Sequence, residues 1–97
     1  MTSKNEEILR SVAEELDFSE DDLLKQGLHT LLERQLREVK VEIFQITGRY
    51  GVANVEGMEG RYRDGTLEEQ DSWRDMQRLD HLEFKRDRLV KLLERLS

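Results

Sequence analysis

The chain has 97 residues, a net charge of −6, no cysteine, and charged side chains at 39% of its positions against 36% for apolar ones. This length suits a single domain, and the lack of cysteine excludes disulfides, thiolate metal sites and cysteine nucleophiles. The first ten residues lack the layout of a signal peptide, and no apolar run approaches the roughly 20 residues that span a bilayer. We therefore expect a cytoplasmic protein with no membrane segment.

The first predicted helix spans about residues 5–16. Ser3 followed by Glu6 has the spacing of a capping box, in which each side chain bonds an amide that the helix start leaves free. Apolar side chains recur every fourth position at Ile8, Val12 and Leu16. This period predicts one apolar stripe along the helix.

The second predicted helix spans about residues 20–50. Ser19 and Asp22 repeat the capping pattern at its start, and Gly51 suits the left-handed position that ends many helices. Steps of four and three residues separate the apolar side chains Leu32, Leu36, Val39, Ile43, Ile46 and Tyr50. This alternation is the seam of a coiled coil, so it predicts a facing helix.

A short connecting helix is predicted at about residues 55–64. Asn54 suits the position of its N-terminal cap. Gly57 and Gly60 lie inside it, however, and each glycine costs a helix about 1 kcal/mol relative to alanine. The sequence therefore predicts a weak helix here.

The last predicted helix spans about residues 67–96, with Thr66 and Glu69 as its capping pair. It carries a second seam made by Leu79, Leu82, Leu89, Leu93 and Leu96. Two long helices of similar reach favour an antiparallel arrangement. We expect one all-α domain over residues 1–97: a long antiparallel, coiled-coil-like helical hairpin, with the first helix packed beside the start of the second.

Candidate residues for catalysis or metal binding are few. Neither His29 nor His81 has a second histidine or a glutamate at the spacing of a helical metal site. The acidic pairs that could hold magnesium, as in a helical pyrophosphatase, are Glu56 with Glu59 and Asp71 with Asp75. Such pairs arise by chance among 22 acidic residues, and acidic helix faces are usually just solvated. We expect no enzyme, no cofactor and no metal ion.

The charge distribution disfavours DNA binding. Residues 1–27 carry a net charge of −5, residues 28–50 +1, residues 51–75 −4 and residues 76–97 +2. The first two helices have the outline of a helix-turn-helix. The second of them nevertheless opens with acidic Glu20–Asp22, where DNA readers present basic or amide side chains. DNA is therefore an unlikely partner.

Two blocks of the sequence resemble small helical antitoxins of prokaryotic type II toxin-antitoxin systems. The first is the run 11–24 with the leucine-rich helix after it, and the second runs from Arg49–Val52 through 55–59 and Gly65 to Trp73–Asp75. The resemblance implies that the protein neutralises a toxin, commonly an RNase, by masking its active surface. Many such antitoxins also repress their operon through a DNA-reading strand, but the four residues 1–4 are too few and too polar to form one.

Four apolar side chains lie off the two seams and form the predicted partner-binding site: Val41, Phe44, Trp73 and Phe84. The first helix should cover Leu24 and Leu31 but is too short to reach Phe44. Antiparallel pairing places Trp73 roughly level with Phe44, which predicts an aromatic patch. Exposed aromatic clusters usually mark an interface.

These observations favour an antitoxin-like protein that binds a toxin through helix packing. We also expect a homodimer or a higher oligomer. The first alternative is a coiled-coil adaptor or assembly subunit, and the second is a DNA-binding autorepressor.

Overall fold

The structure, a computed structural model, describes residues 3–97. Its helices, in chain order, are α1 (Lys4–Leu16), α2 (Glu20–Tyr50), α3 (Val55–Arg63) and α4 (Glu69–Leu96). The long helices α2 and α4 pack against each other, and the molecule measures 62 × 23 × 18 Å. The predicted all-α hairpin is thus confirmed. Met1 and Thr2, which belong to the segment judged too short for a DNA-reading strand, lie outside the described residues.

Side-chain caps begin the first three helices, as the sequence predicts. In each case an oxygen three residues upstream accepts a hydrogen bond from a backbone amide in the first turn. The pairs are Ser3 Oγ with Glu6 N at 3.2 Å, Ser19 Oγ with Asp22 N at 3.0 Å, and Asn54 Oδ1 with Gly57 N at 2.9 Å. Helix α2 ends at Gly51, whose φ of 64° is left-handed and whose N–H bonds the Thr47 carbonyl. An L side chain would be strained there.

The start of α4 differs from the prediction. The helix begins at Glu69 rather than at residue 67, and its cap residue Glu68 makes no side-chain capping bond. Thr66, the expected cap, instead donates to Asp64 Oδ1 at 2.6 Å and accepts from Arg61 Nε at 3.2 Å. The threonine hydroxyl therefore stabilises the α3–α4 loop, because these partners compete with the helix for it.

The core lies where α3 closes over the hairpin. Its buried apolar residues come from three helices: Val39 and Ile46 of α2, Val55 and Met58 of α3, and Leu79, Leu82 and Leu89 of α4. The partly buried seam residues Leu32, Leu36, Ile43 and Tyr50 pack against it. The two predicted seams therefore meet, and they meet most tightly near the α3 end of the molecule.

Helix α3 is well anchored despite its two glycines. Met58 is fully buried, and the backbone N–H of Val55 donates to Glu83 Oε2 of α4 at 3.0 Å. A Cβ atom at Gly57 would lie 3.2 Å from Cβ of Val52, closer than side chains normally approach. Tertiary packing thus outweighs the low helix propensity of the glycines, and Gly57 allows the close approach.

Two glycine-to-alanine variants separate helix propensity from close packing. Nothing lies within 4 Å of a Cβ built at Gly48 of α2. We expect Gly48→Ala to raise the free energy of unfolding by about 1 kcal/mol. In Gly57→Ala the contact with Val52 should offset most of that gain. Urea unfolding of both variants measures the difference, and equal gains would show that α3 can shift without cost.

Helix α1 covers less of α2 than the sequence predicts. Its one buried side chain is Ala13. Leu24 and Leu31, which it was expected to cover, remain 51% and 45% exposed. That expectation was wrong, and Ile8 of α1 is itself 51% exposed. None of the four helices is long and apolar enough to cross a membrane.

Candidate protein-binding surfaces

Residues 3–97 contain no group of three His, Cys, Asp or Glu side chains placed to hold a metal ion. Of the two histidines, His81 is exposed. His29 Nε2 lies 3.5 Å from Oε1 of Glu33, which is one helical turn further along α2, and both side chains are about half exposed. Asp75, a member of one acidic pair, is bonded to side chains of α2. The hydrogen bonds of Asp75 therefore serve the fold.

The bonds to Asp75 fasten the end of α2 to α4. Its Oδ2 accepts hydrogen bonds from the Tyr50 hydroxyl and, at 2.7 Å, from Arg49 Nη1. The bond from Tyr50, helped by the bond and charge of Arg49, holds the pKa of the Asp75 carboxyl below its usual value despite partial desolvation. The same bond raises the pKa of Tyr50.

Low pH should weaken the bonds between Asp75 and α2, and Asp75→Asn shows how much of the pH dependence of stability comes from this carboxyl group. An aspartate whose folded-state pKa is depressed stabilises the fold above its unfolded pKa of about 3.9, and the stabilisation is lost as pH falls through the folded-state pKa. We expect the free energy of unfolding to fall more steeply below about pH 4 in the wild type than in Asp75→Asn. Urea unfolding across this pH range measures it. Parallel pH profiles would contradict the assignment.

All four predicted partner-binding side chains are exposed. The exposed fractions are 77% for Phe44, 61% for Phe84, 51% for Val41 and 43% for Trp73. Helix α3 therefore leaves these side chains uncovered. An ion pair between Arg78 Nη2 and Glu42 Oε2 at 2.8 Å and the bonds of Arg49 and Tyr50 to Asp75 connect α2 and α4, and they place Trp73 about 5 to 12 Å beyond Phe44 along the helix axes, toward the C-terminal end of α2.

The four side chains nevertheless lie on different sides of the hairpin. Phe44 is two residues from buried Ile46, which is about 200° around α2, so it projects away from α4. By the same geometry Trp73 and Phe84 lie opposite buried Leu82 and project away from α2. The expected single aromatic patch is therefore not formed. Val41 with Phe44, three residues apart on α2, forms one exposed pair, and Trp73 with Phe84 lines the outer side of α4.

A larger apolar surface lies at the other end of the hairpin. Three adjoining hollows cross it: one between α1 and α2, one between α2 and α4, and one on α4. Leu28 lines the first two hollows and Leu92 the last two, so the surface is continuous. We call it the N-terminal face, and its apolar residues include Ile8, Val12, Leu24, Leu28, Leu31, Phe84, Leu92 and Leu96.

The two edges of the N-terminal face differ in charge. Along the α1 edge, beside the apolar stripe of that helix, lie the exposed side chains of Lys4, Glu7 and Glu15, which together carry a net charge of −1. Along the α4 edge the third hollow is lined by Arg88, Lys91 and Arg95 together with Phe84 and Leu92. The Arg88 guanidinium lies 5.6 Å from the centre of the Phe84 ring, a cation–π distance. One edge is thus acidic and the other basic.

A protein-family model described as the Uncharacterized protein MJ0235 family matches residues 1–97. No curated protein and no solved structure matches the chain.

Proposed function

The chain belongs to the Uncharacterized protein MJ0235 family, and we propose that it is a non-catalytic protein that acts by binding another protein. One observation carries the proposal. Among residues 3–97, twelve large hydrophobic side chains are exposed while eight hydrophobic residues are buried. Neighbouring exposed apolar side chains of this number are typical of proteins that bury them against a partner.

The pair of Val41 and Phe44 is the surface that we assign to the partner. Phe44 is the most exposed of the large hydrophobic residues in the described chain, and a phenylalanine ring is an effective anchor for an interface. Gly48 lies one turn beyond it, and the space where its Cβ would be is empty. A partner side chain can therefore approach the α2 backbone beside the Phe44 ring.

A small basic protein is the class of partner that fits best. The chain carries a net charge of −6: residues 1–27 and 51–75 carry −5 and −4, while residues 28–50, which hold Phe44, carry +1 and residues 76–97 carry +2. An acidic protein attracts basic surfaces over several ångströms and speeds their association. RNase toxins, the partners implied by the sequence resemblance to antitoxins, need basic surfaces to bind RNA. We therefore propose toxin neutralisation as the specific form of this protein binding.

Capture with the tagged chain tests the function. Wild type is expected to retain a small basic protein whose RNase activity, once it is separated, is inhibited when the chain is added back. Phe44→Asp should weaken that binding by roughly 30-fold or more, since anchors of this kind commonly contribute about 2 kcal/mol. Gln45→Asp, an exposed neighbour with the same change of charge, is the matched control and should bind normally. Equal binding by both variants would place the partner elsewhere.

An adaptor function is the second candidate. The 62 Å length of the hairpin separates the Phe44 surface from the far end of the N-terminal face, so two proteins could bind at once. In that case the captured protein would lack RNase activity, and a second protein would be retained with it.

A further inference from the structure

We propose that the N-terminal face is an interface between two copies of this chain, related by a two-fold axis that runs parallel to α2 and α4. The occupant of the face is thus a second molecule of the same protein. This inference goes beyond the proposed function, because it concerns a surface that the partner at Phe44 does not use.

The centre of the face supplies the apolar contact. Leu24, Leu28 and Leu31 of α2 are half-exposed and line the hollow beside α1, while half-exposed Leu92 continues the surface on α4. Neighbouring leucines at this exposure form a patch rather than the scattered single residues of an ordinary surface. Packing two such patches together would remove most of this apolar area from water.

The charged edges select the partner and its orientation. When the axis is parallel to the helices, the acidic α1 edge of each copy faces the basic α4 edge of the other copy. Both edge contacts are then attractive. An axis across the helices would lay acid on acid and base on base, which is unfavourable. A face with one acidic and one basic edge is therefore complementary to itself, as an isologous interface requires.

The charged residues of the two edges also lie at matching positions along the long axis of the molecule, as a parallel two-fold axis requires. Ile8 and Leu28 line one hollow, and Leu28 and Leu92 line the next, so these three residues lie at about the same level. Glu7 precedes Ile8 and Lys91 precedes Leu92 in sequence. A parallel axis preserves level, which brings Glu7 of one copy near Lys91 of the other. Glu15 and Arg95 both lie further toward the end of the hairpin at which α2 begins.

The dimer leaves the partner surface free. Phe44 follows Leu28 by sixteen residues, which places it about 160° away around α2. Phe44 therefore lies on the side of α2 opposite to Leu28, and Val41, about 80° around the helix from Leu31, lies about 15 Å farther along it. Each dimer would present two such surfaces outward, which allows a dimeric or repeated partner to be bound with higher avidity.

Sedimentation equilibrium of charge-reversed variants tests the proposal. The acidic-edge variant Glu7→Lys/Glu15→Lys and the basic-edge variant Lys91→Glu/Arg95→Glu each place like charges on both contacts of their own dimer. We expect each alone to dimerise at least about tenfold more weakly than wild type. Mixed in equal amounts, they form a heterodimer in which both contacts again pair opposite charges, so association should return. A mixture that stays monomeric would overturn the geometry.

A matched pair of apolar variants tests the centre of the face. Leu24 and Val41 are both on α2 and both 51% exposed, but only Leu24 lies on the face. We expect Leu24→Asp to sediment as an 11.6 kDa monomer and Val41→Asp to remain dimeric, with far-UV helicity kept in both. Monomeric wild type, or dimerisation that Leu24→Asp leaves intact, would overturn the proposal. Partner capture through Phe44 is a separate measurement, so either proposal can fail without the other.

Discussion

Leu79→Ala is expected to lower the free energy of unfolding by about 3 kcal/mol or more, because it removes a fully buried side chain from the point where α2, α3 and α4 meet. The core of the described chain is small, so the side chains around Leu79 can move only partly into the space that the substitution leaves. Urea unfolding followed by far-UV circular dichroism measures the change.

Phe44→Ala is the control for this variant. It deletes a larger side chain than Leu79→Ala does, but from a position that is 77% exposed, so the cost should stay within about 0.5 kcal/mol. If the two variants lost similar stability, Phe44 would belong to a core that forms in solution, and the proposed partner surface would be wrong.

Met58→Ala should have the second-largest effect, about 2 kcal/mol or more. Met58 is the fully buried side chain of α3, and its short helix has few other anchors: buried Val55 and the bond from the Val55 amide to Glu83. We expect the loss to appear first as detachment of α3, since a nine-residue helix is not stable by itself.

Amide hydrogen exchange distinguishes local detachment from global unfolding. In Met58→Ala the amides of α3 should exchange much faster than in wild type, while those in the middle of α2 change less. Uniform acceleration along the whole chain would instead mean that α3 and the hairpin unfold as one unit.

The sequence predicts the hairpin well because its signals are local and consistent. Ser3, Ser19 and Asn54 each supply an oxygen that accepts a hydrogen bond from a free amide of a helix start, and Gly51 permits the left-handed backbone that ends α2. The two seams repeat over enough turns to define a facing pair of helices. Each cap depends on residues within one turn of one another, and each seam is built from steps of three or four residues along one helix.

The misjudged features depend on tertiary contacts. Thr66 matches a capping pattern, but its hydroxyl bonds Asp64 and Arg61, and the sequence pattern does not weigh that competition. The glycines of α3 lower its propensity, yet the packing of Met58 outweighs them. The stripe on α1 indicates an apolar side but gives neither the angle nor the depth at which that helix packs on α2.

The candidate surfaces show the same division. Helical spacing alone placed Val41 and Phe44 off the seam of α2, and both are exposed. Whether the aromatic residues of α2 and α4 meet depends on the direction in which each projects from the paired helices, and the spacing argument left this out. The N-terminal face was missed because it joins three helices, and its continuity through Leu28 and Leu92 follows from their packing.

The central claim is that the apolar side chains exposed on this chain are covered by a protein partner. Hydroxyl-radical footprinting of Phe44, with and without the captured partner, tests it most directly because the method reads side-chain exposure. Our account predicts strong labelling of Phe44 in the free chain and a loss of most of that labelling in the complex. Unchanged labelling of Phe44 in a complex that has formed would contradict it.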